Sequence, residues 1–262
     1  MTSANSVYEG VRHVVIDNFG GGTITIEPNR IEQGTPSDVV DSSISAADEA
    51  FLADVQARHD HDQLRFSFPT QLFRNTSAHL RLAVPAGLTY VIKAGSADIS
   101  ITADIGQSKI VSGSGDIAIG QATDLDCSTG SGDISVLRAD GRAARMASGS
   151  GDVTLTEVHC PVTAKSASGD VVIRSLRGSQ LQANSGSGDI AVNSTSGSVD
   201  LRSASGSLTI GVADQMPAWL DLTSVSGEIR IALESTSPPE KGAPYVAVRA
   251  RTASGDIAVY RA

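Results

Sequence analysis

The sequence predicts an all-β protein: a parallel β-solenoid of the β-helix or β-roll type, with about 18 residues per coil and a short N-terminal helical insertion or cap. Three observations lead there. The first is a recurring phrase, fullest at Ser112-Gly113-Ser114-Gly115-Asp116-Ile117-Ala118-Ile119. Its acidic residue returns at Asp98, Asp116, Asp133, Asp152, Asp170 and Asp189, in steps of 18, 17, 19, 18 and 19 residues. Weaker copies follow at Gly206-Ser207-Leu208-Thr209-Ile210 and Gly227-Glu228-Ile229-Arg230-Ile231, and a full one at Gly255-Asp256-Ile257-Ala258-Val259. A fixed period of this size is the signature of a repeat architecture. The second is a shorter period inside it. Apolar pairs such as Ile190/Val192, Val199/Leu201 and Leu208/Ile210 stand nine residues apart. Each reads as a short strand with one buried face. The third is composition: 26 glycines and only 4% aromatic residues suit a thin stack of small aliphatic rungs.

The connections follow from the spacing. Nine residues are too few for a helical crossover between parallel strands, whereas a coil that climbs one strand spacing per turn needs none. Half-way pairs at Leu125/Cys127, Val162/Ala164, Leu181/Ala183 and Leu220/Leu222 supply the second strand of each coil. Ser and Gly clusters separate the pairs, and the glycines are expected at corners where φ is positive.

Taken in order, Val14-Val15-Ile16 and Thr23-Ile24-Thr25-Ile26 flank a Gly-rich turn, so the coils are expected to begin near residue 10. The pattern changes from Pro28 to Asp62. Ser45-Ala46-Ala47-Asp48 resembles a helix start, and Ala47, Phe51, Leu52 and Val55 share a helical face, which predicts a capping helix at about 45–58. Leu64–Phe68 and Leu80–Val84 alternate as strands. Residues 1–84 are thus read as N-terminal strands plus a cap. Residues 85–262 are read as the repeat proper, continuous with them in one folding unit. The Pro-rich stretch 235–244 is expected to be a loop outside the coil, and the strand before Tyr260 to be exposed or paired with a partner.

Net charge is -9 and pI about 4.9, which argues against nucleic acid or an anionic membrane surface as partner. No apolar run approaches membrane-spanning length and the N-terminus lacks a secretory pattern, so a cytoplasmic location without membrane insertion is expected. Cys127 and Cys160 are too few for a disulfide scaffold. Cys127 falls on an inward position and reads as a buried thiol.

Few constellations suggest chemistry. The column Asp98, Asp116, Asp133, Asp152, Asp170 and Asp189 stacks carboxylates about 4.8 Å apart. Turn N–H groups and Ser hydroxyls are the expected compensation. A calcium ladder is the alternative, but calcium-binding solenoids of the RTX type use Gly-x-Asp at each half-coil, whereas here Gly directly precedes Asp once per coil. His59-Asp60-His61-Asp62 has metal-ligand residue types but reads as a polar turn. Arg138, Arg142 and Arg145 form a basic group suited to neutralising the acids. No catalytic constellation or phosphate loop is present, and no cofactor is implied. One Trp and few Tyr argue against a sugar-gripping groove.

The segment Leu80-Arg81-Leu82-Ala83-Val84-Pro85-Ala86-Gly87, followed by serial Ser-Gly-Asp-Ile phrases, resembles the DUF4097 family of β-strand-repeat proteins. The likeness covers 80–262 well and 10–30 loosely. It implies an adhesin-like, non-catalytic protein and carries over no catalytic residue. The expected function is a structural or interaction scaffold that binds another protein, or itself, through its faces or open end. The alternatives are a carbohydrate-binding or carbohydrate-active β-helix and a calcium-stabilised solenoid.

Overall fold

The computed structural model describes residues 2–29, 38–69, 77–234 and 244–262. Contacts divide the chain into two compact units, Met1–Asp133 and Ile134–Ala262. Both are built almost wholly from strands, as the recurrent apolar-x-apolar pairs require. Among the described residues, no helix is long and apolar enough to cross a membrane.

The first unit contains β1 (Thr2–Glu9), β2 (His13–Pro28), β3 (Val39–Ala46), α1 (Glu49–Asp54), β4 (Gln56–Asp60), β5 (Gln63–Ser67), β6 (Ser77–Val84), β7 (Thr89–Ile105), β8 (Ser108–Ser112) and β9 (Ile117–Thr129). β2 is the first coil. It pairs in parallel with β7 on one side, Ile24 opposite Ile99, and with β5 and β6 on the other, Ile24 opposite Leu80. β7, β8 and β9 continue the parallel stack, with Ile92 beside Ile110 and Ile110 beside Cys127.

Antiparallel strands complete this unit and were not evident from the sequence. β3 lies between β1 and β6, and β4 forms a hairpin with β5. The expected helix over 45–58 is correspondingly short. Val40, Ser42, Ile44 and Ala46 alternate inward, so Ser45-Ala46 end a strand, and the true N-cap is Asp48, which accepts from the amides of Ala50 and Phe51. Six residues remain helical before Val55 turns extended. Phe51 is the helix's buried anchor. It lies over Phe68 (ring centroids 6.3 Å), which in turn meets Phe19 edge-on at 4.7 Å.

The second unit contains β10 (Ile134–Ser148), β11 (Val153–Val158), β12 (Val162–Ser166), β13 (Val171–Leu176), β14 (Gln180–Ser185), β15 (Ile190–Thr195), β16 (Ser198–Ser203), β17 (Leu208–Val212), β18 (Ala218–Ser224), β19 (Ile229–Ala232), β20 (Val246–Thr252) and β21 (Ile257–Arg261). Two parallel ladders run through it. One takes the first half of β10, then β11, β13, β15 and β17, joining Ile134, Val153, Val171, Ile190 and Leu208 in one buried row. The other takes the second half of β10, then β12, β14 and β16, with Ala144, Val162, Leu181 and Val199 in register. Gly141, at φ +92°, turns β10 from one ladder to the other. Each buried Ile, Leu or Val contributes roughly 1.5–3 kcal/mol, so the rungs carry the stability of the unit.

The last coil departs from sequence order. β20 pairs with both β16 and β18, and β21 with both β17 and β19. The final strand is therefore interior, not exposed, and β18 and β19 form the edge coil. The expected Pro-rich loop at 235–244 falls, apart from Pro244, outside the described residues.

Candidate functional site

The Ser-Gly-Asp phrase is a structural corner. Within the first unit, Asp98 Oδ1 accepts from the backbone N–H of Asp116 (3.1 Å), and Asp116 Oδ1 from that of Asp133 (2.9 Å). In the second, Asp152 serves Asp170 (2.7 Å), Asp170 serves Asp189 (2.8 Å) and Asp189 serves Ser207 (2.7 Å). Each carboxylate thus holds the amide of the coil beside it. No group of three or more metal-ligating side chains occurs among the described residues.

A second column escaped the sequence reading although its signal is plain: from Asp116 to Asp189, the residue four before each acid is a Ser or Thr, whereas Ala94 holds that place before Asp98. Ser166, Ser185 and Ser203 are buried, and each accepts from the glycine amide three residues on, at 2.8–2.9 Å. Each also donates, at 3.1 Å, to the glycine carbonyl of the neighbouring coil. The glycines of this phrase are needed for closeness; the expected positive φ is found instead at glycines outside it, such as Gly141. A Cβ on Gly188 would lie 2.1 Å from the Gly169 carbonyl oxygen, and one on Gly206 would lie 2.0 Å from that of Gly188. Only a residue without a side chain lets successive corners stack at strand spacing.

The remaining candidates are dispersed. His59 sits on β4 and His61 at the tip of its hairpin with β5, at φ +53°, bonded to Asp60 at 2.6 Å; all are exposed. The basic group is divided between the two ladders. Arg138 pairs with Asp140 (2.8 Å) and Glu157 (3.5 Å), while Arg145 lies on the half of β10 that joins β12. Cys127 and Cys160 are buried. Burial, with Asp126 adding to it, pushes the Cys127 thiol up to about 12, so it stays protonated and unreactive near neutral pH.

Two surface features stand out in the second unit. The edge coil carries rung residues that elsewhere are buried: Ile229 is 40% exposed and Ile231 54%, and Val225, in the turn between β18 and β19, adds an exposed apolar side chain. Among the described residues no strand pairs with the outer side of β18 or β19. Its charges are internally matched. Asp221 holds Arg249 (3.0 Å) and Arg251 (3.2 Å), and Glu228 holds Arg230 (2.6 Å), which keeps both carboxyls below their usual range. The second feature is a cleft of about 470 Å³ on the outer face of the β10–β12–β14–β16–β20–β18 ladder, with Trp219 among its walls. The small number of aromatic residues argued against such a groove, and the single Trp falls outside the repeat motif.

The Toastrack DUF4097 family model matches residues 54–260. The chain belongs to this family. The chain is similar to several solved structures at low identity. A candidate adhesin from Parabacteroides merdae aligns at 11% identity over 98% of this chain and 95% of that one, with a TM-score of 0.51. A candidate lipid-binding protein from Parabacteroides distasonis aligns at 11% over 98% and 96%, with a TM-score of 0.50. A candidate adhesin from Bacteroides fragilis aligns at 14% over 98% and 97%, with a TM-score of 0.47. No curated protein matches the chain in sequence. The Toastrack assignment makes the fold all-β and β-solenoid-like, with almost no helix.

Proposed function

We propose that this Toastrack chain is a non-catalytic, adhesin-like interaction protein. In this reading it is a parallel β-solenoid of about 18 residues per coil, and it binds another protein chain, or a second copy of itself, by strand addition at its edge coil. The observation that carries the reading is the exposure of Ile229 and Ile231 on a strand whose outer backbone groups meet no other described strand. Natural sheets protect such edges with charge, proline or a covering element. Here Glu228 and Arg230 of the edge coil pair with each other and Asp221 pairs with Arg249 and Arg251 of β20, which leaves an apolar strip ready for a partner. The antiparallel strands and α1 of the first unit give the contrast: there the coil edge next to β5 and β6 is covered by β4 and β3. The buried thiols and backbone-bound carboxylates support a scaffold more than a catalyst.

The test compares wild-type protein with Ile231→Lys by light scattering and by cross-linking capture from the native host. Because Ile231 is half exposed, the substitution is expected to leave the melting temperature nearly unchanged. The wild type should form a complex, with itself or with one defined partner, that the variant loses. A strictly monomeric wild type whose captured proteins match those of the variant overturns the proposal.

A further inference from the structure

The geometry points to the cleft beside Trp219 as a binding site for a linear oligosaccharide lying across the strands. The registers of the second ladder place Arg145, Thr163, Gln182, Asp200 and Arg249 directly opposite one another, one per strand. These are outward positions between buried rungs, so the row faces solvent. Neighbouring strands lie about 4.8 Å apart, so the row offers one hydrogen-bonding group at roughly the interval of one hexopyranose unit in an extended chain. The groups are those that sugar hydroxyls pair with: an amide, a hydroxyl, a carboxylate and guanidinium groups.

The next outward row supplies the apolar part. Trp219, 53% exposed, stands opposite Ala247, and Ser198 stands opposite Gln180. With Ala247 beside it and half its surface exposed on the cleft wall, the indole can serve as a platform for the C–H face of a sugar ring. The volume, about 470 Å³, is in the range of small-ligand sites. Two of the charges are already oriented: Asp200 holds Arg202 (3.1 Å), and Asp221 holds Arg249 (3.0 Å). Arg145 makes no ion pair among the described residues, so it is the group for an acidic substituent on the sugar. This site uses the ladder's outer face, whereas the protein-binding proposal uses the backbone edge of the coil that includes β18.

Trp219 is the chain's single tryptophan, so its fluorescence reports on the cleft and on the β18 segment that carries it. The protein is titrated with hexose monosaccharides, with neutral β-linked and α-linked glucose hexamers, with a uronic acid hexamer and with phosphatidylcholine vesicles. A saturable change in Trp219 emission is expected with at least one hexamer and not with the monosaccharides. Gln182→Ala is expected to weaken it by about tenfold without shifting the melting temperature. A preference for the uronic acid hexamer that Arg145→Gln removes assigns the acidic position. The inference is overturned if no hexamer gives a saturable change, if Gln182→Ala binds as wild type, or if only the vesicles alter the emission.

Discussion

Ser185 makes two hydrogen bonds with one hydroxyl, donating to the Gly169 carbonyl and accepting from the Gly188 amide. Both partners are backbone groups at a buried corner, so removing the hydroxyl leaves a donor and an acceptor unmet. Ser185→Ala is expected to lower the unfolding free energy by about 1–3 kcal/mol in denaturant titrations. Thr129 and Thr252 hold the same place in other coils, with the hydroxyl donating to Gly115 and Gly206. Ser185→Thr should therefore stay within about 0.5 kcal/mol of wild type. Equal losses from both variants would mean that the site is limited by volume and not by hydrogen bonding. The corner explains why the phrase repeats: Ser binds, Gly admits the neighbouring backbone, and Asp holds the next amide. The sequence displayed all three residues at fixed spacing, but it could not say which atoms they meet, because those atoms belong to a coil about 18 residues away.

At the scale of elements, the edge coil is where stability should respond to acid. The Asp221 carboxyl is held below its ordinary value first by its hydrogen bond from Arg249 and then by Arg251, and Glu228 is held low by Arg230. A carboxyl lowered in the folded state contributes stability above its unfolded pKa and loses it as pH falls through the folded one. The edge coil should thus be at full strength above roughly pH 4.5 and should loosen below it. Trp219, two residues from Asp221 on β18, provides the local probe. Its emission should shift on acidification before the global unfolding transition, and Asp221→Asn should abolish that early shift. An early shift that persists in the variant would place its cause elsewhere. This coil also marks the limit of sequence reading. Ile229-x-Ile231 and Ile257-x-Val259 carry the same strand pattern, so nothing local told β19 from β21 or said that β21 would insert beside β17. The antiparallel β1 was equally obscure, since Thr2–Glu9 is mostly polar and exposed and takes its strand form from pairing with β3. The parallel rungs were legible because their period persists through many coils, each confirming the last.

For the whole molecule, net charge is -9, and much of it stands in acidic columns with carboxylates about 4.8 Å apart. Neighbours at that distance repel by about 1 kcal/mol per pair in water. The backbone amides at 2.7–3.1 Å offset part of this by placing a positive dipole end on one oxygen of each acid. What remains is long-range repulsion, which salt screens over a Debye length of about 10 Å at 0.1 M. Raising ionic strength should therefore raise the melting temperature, and sodium and calcium chloride should do so equally at matched ionic strength. A bound calcium ladder would behave otherwise, giving a calcium-specific rise that a chelator reverses, because an ion that binds only the folded state stabilises it by mass action. The two outcomes separate general screening of an acidic scaffold from specific ligation. The first is expected, because Asp98, Asp116, Asp152, Asp170 and Asp189 already commit one oxygen to the backbone and the spacing of the acids departs from that of the calcium-binding nonapeptide.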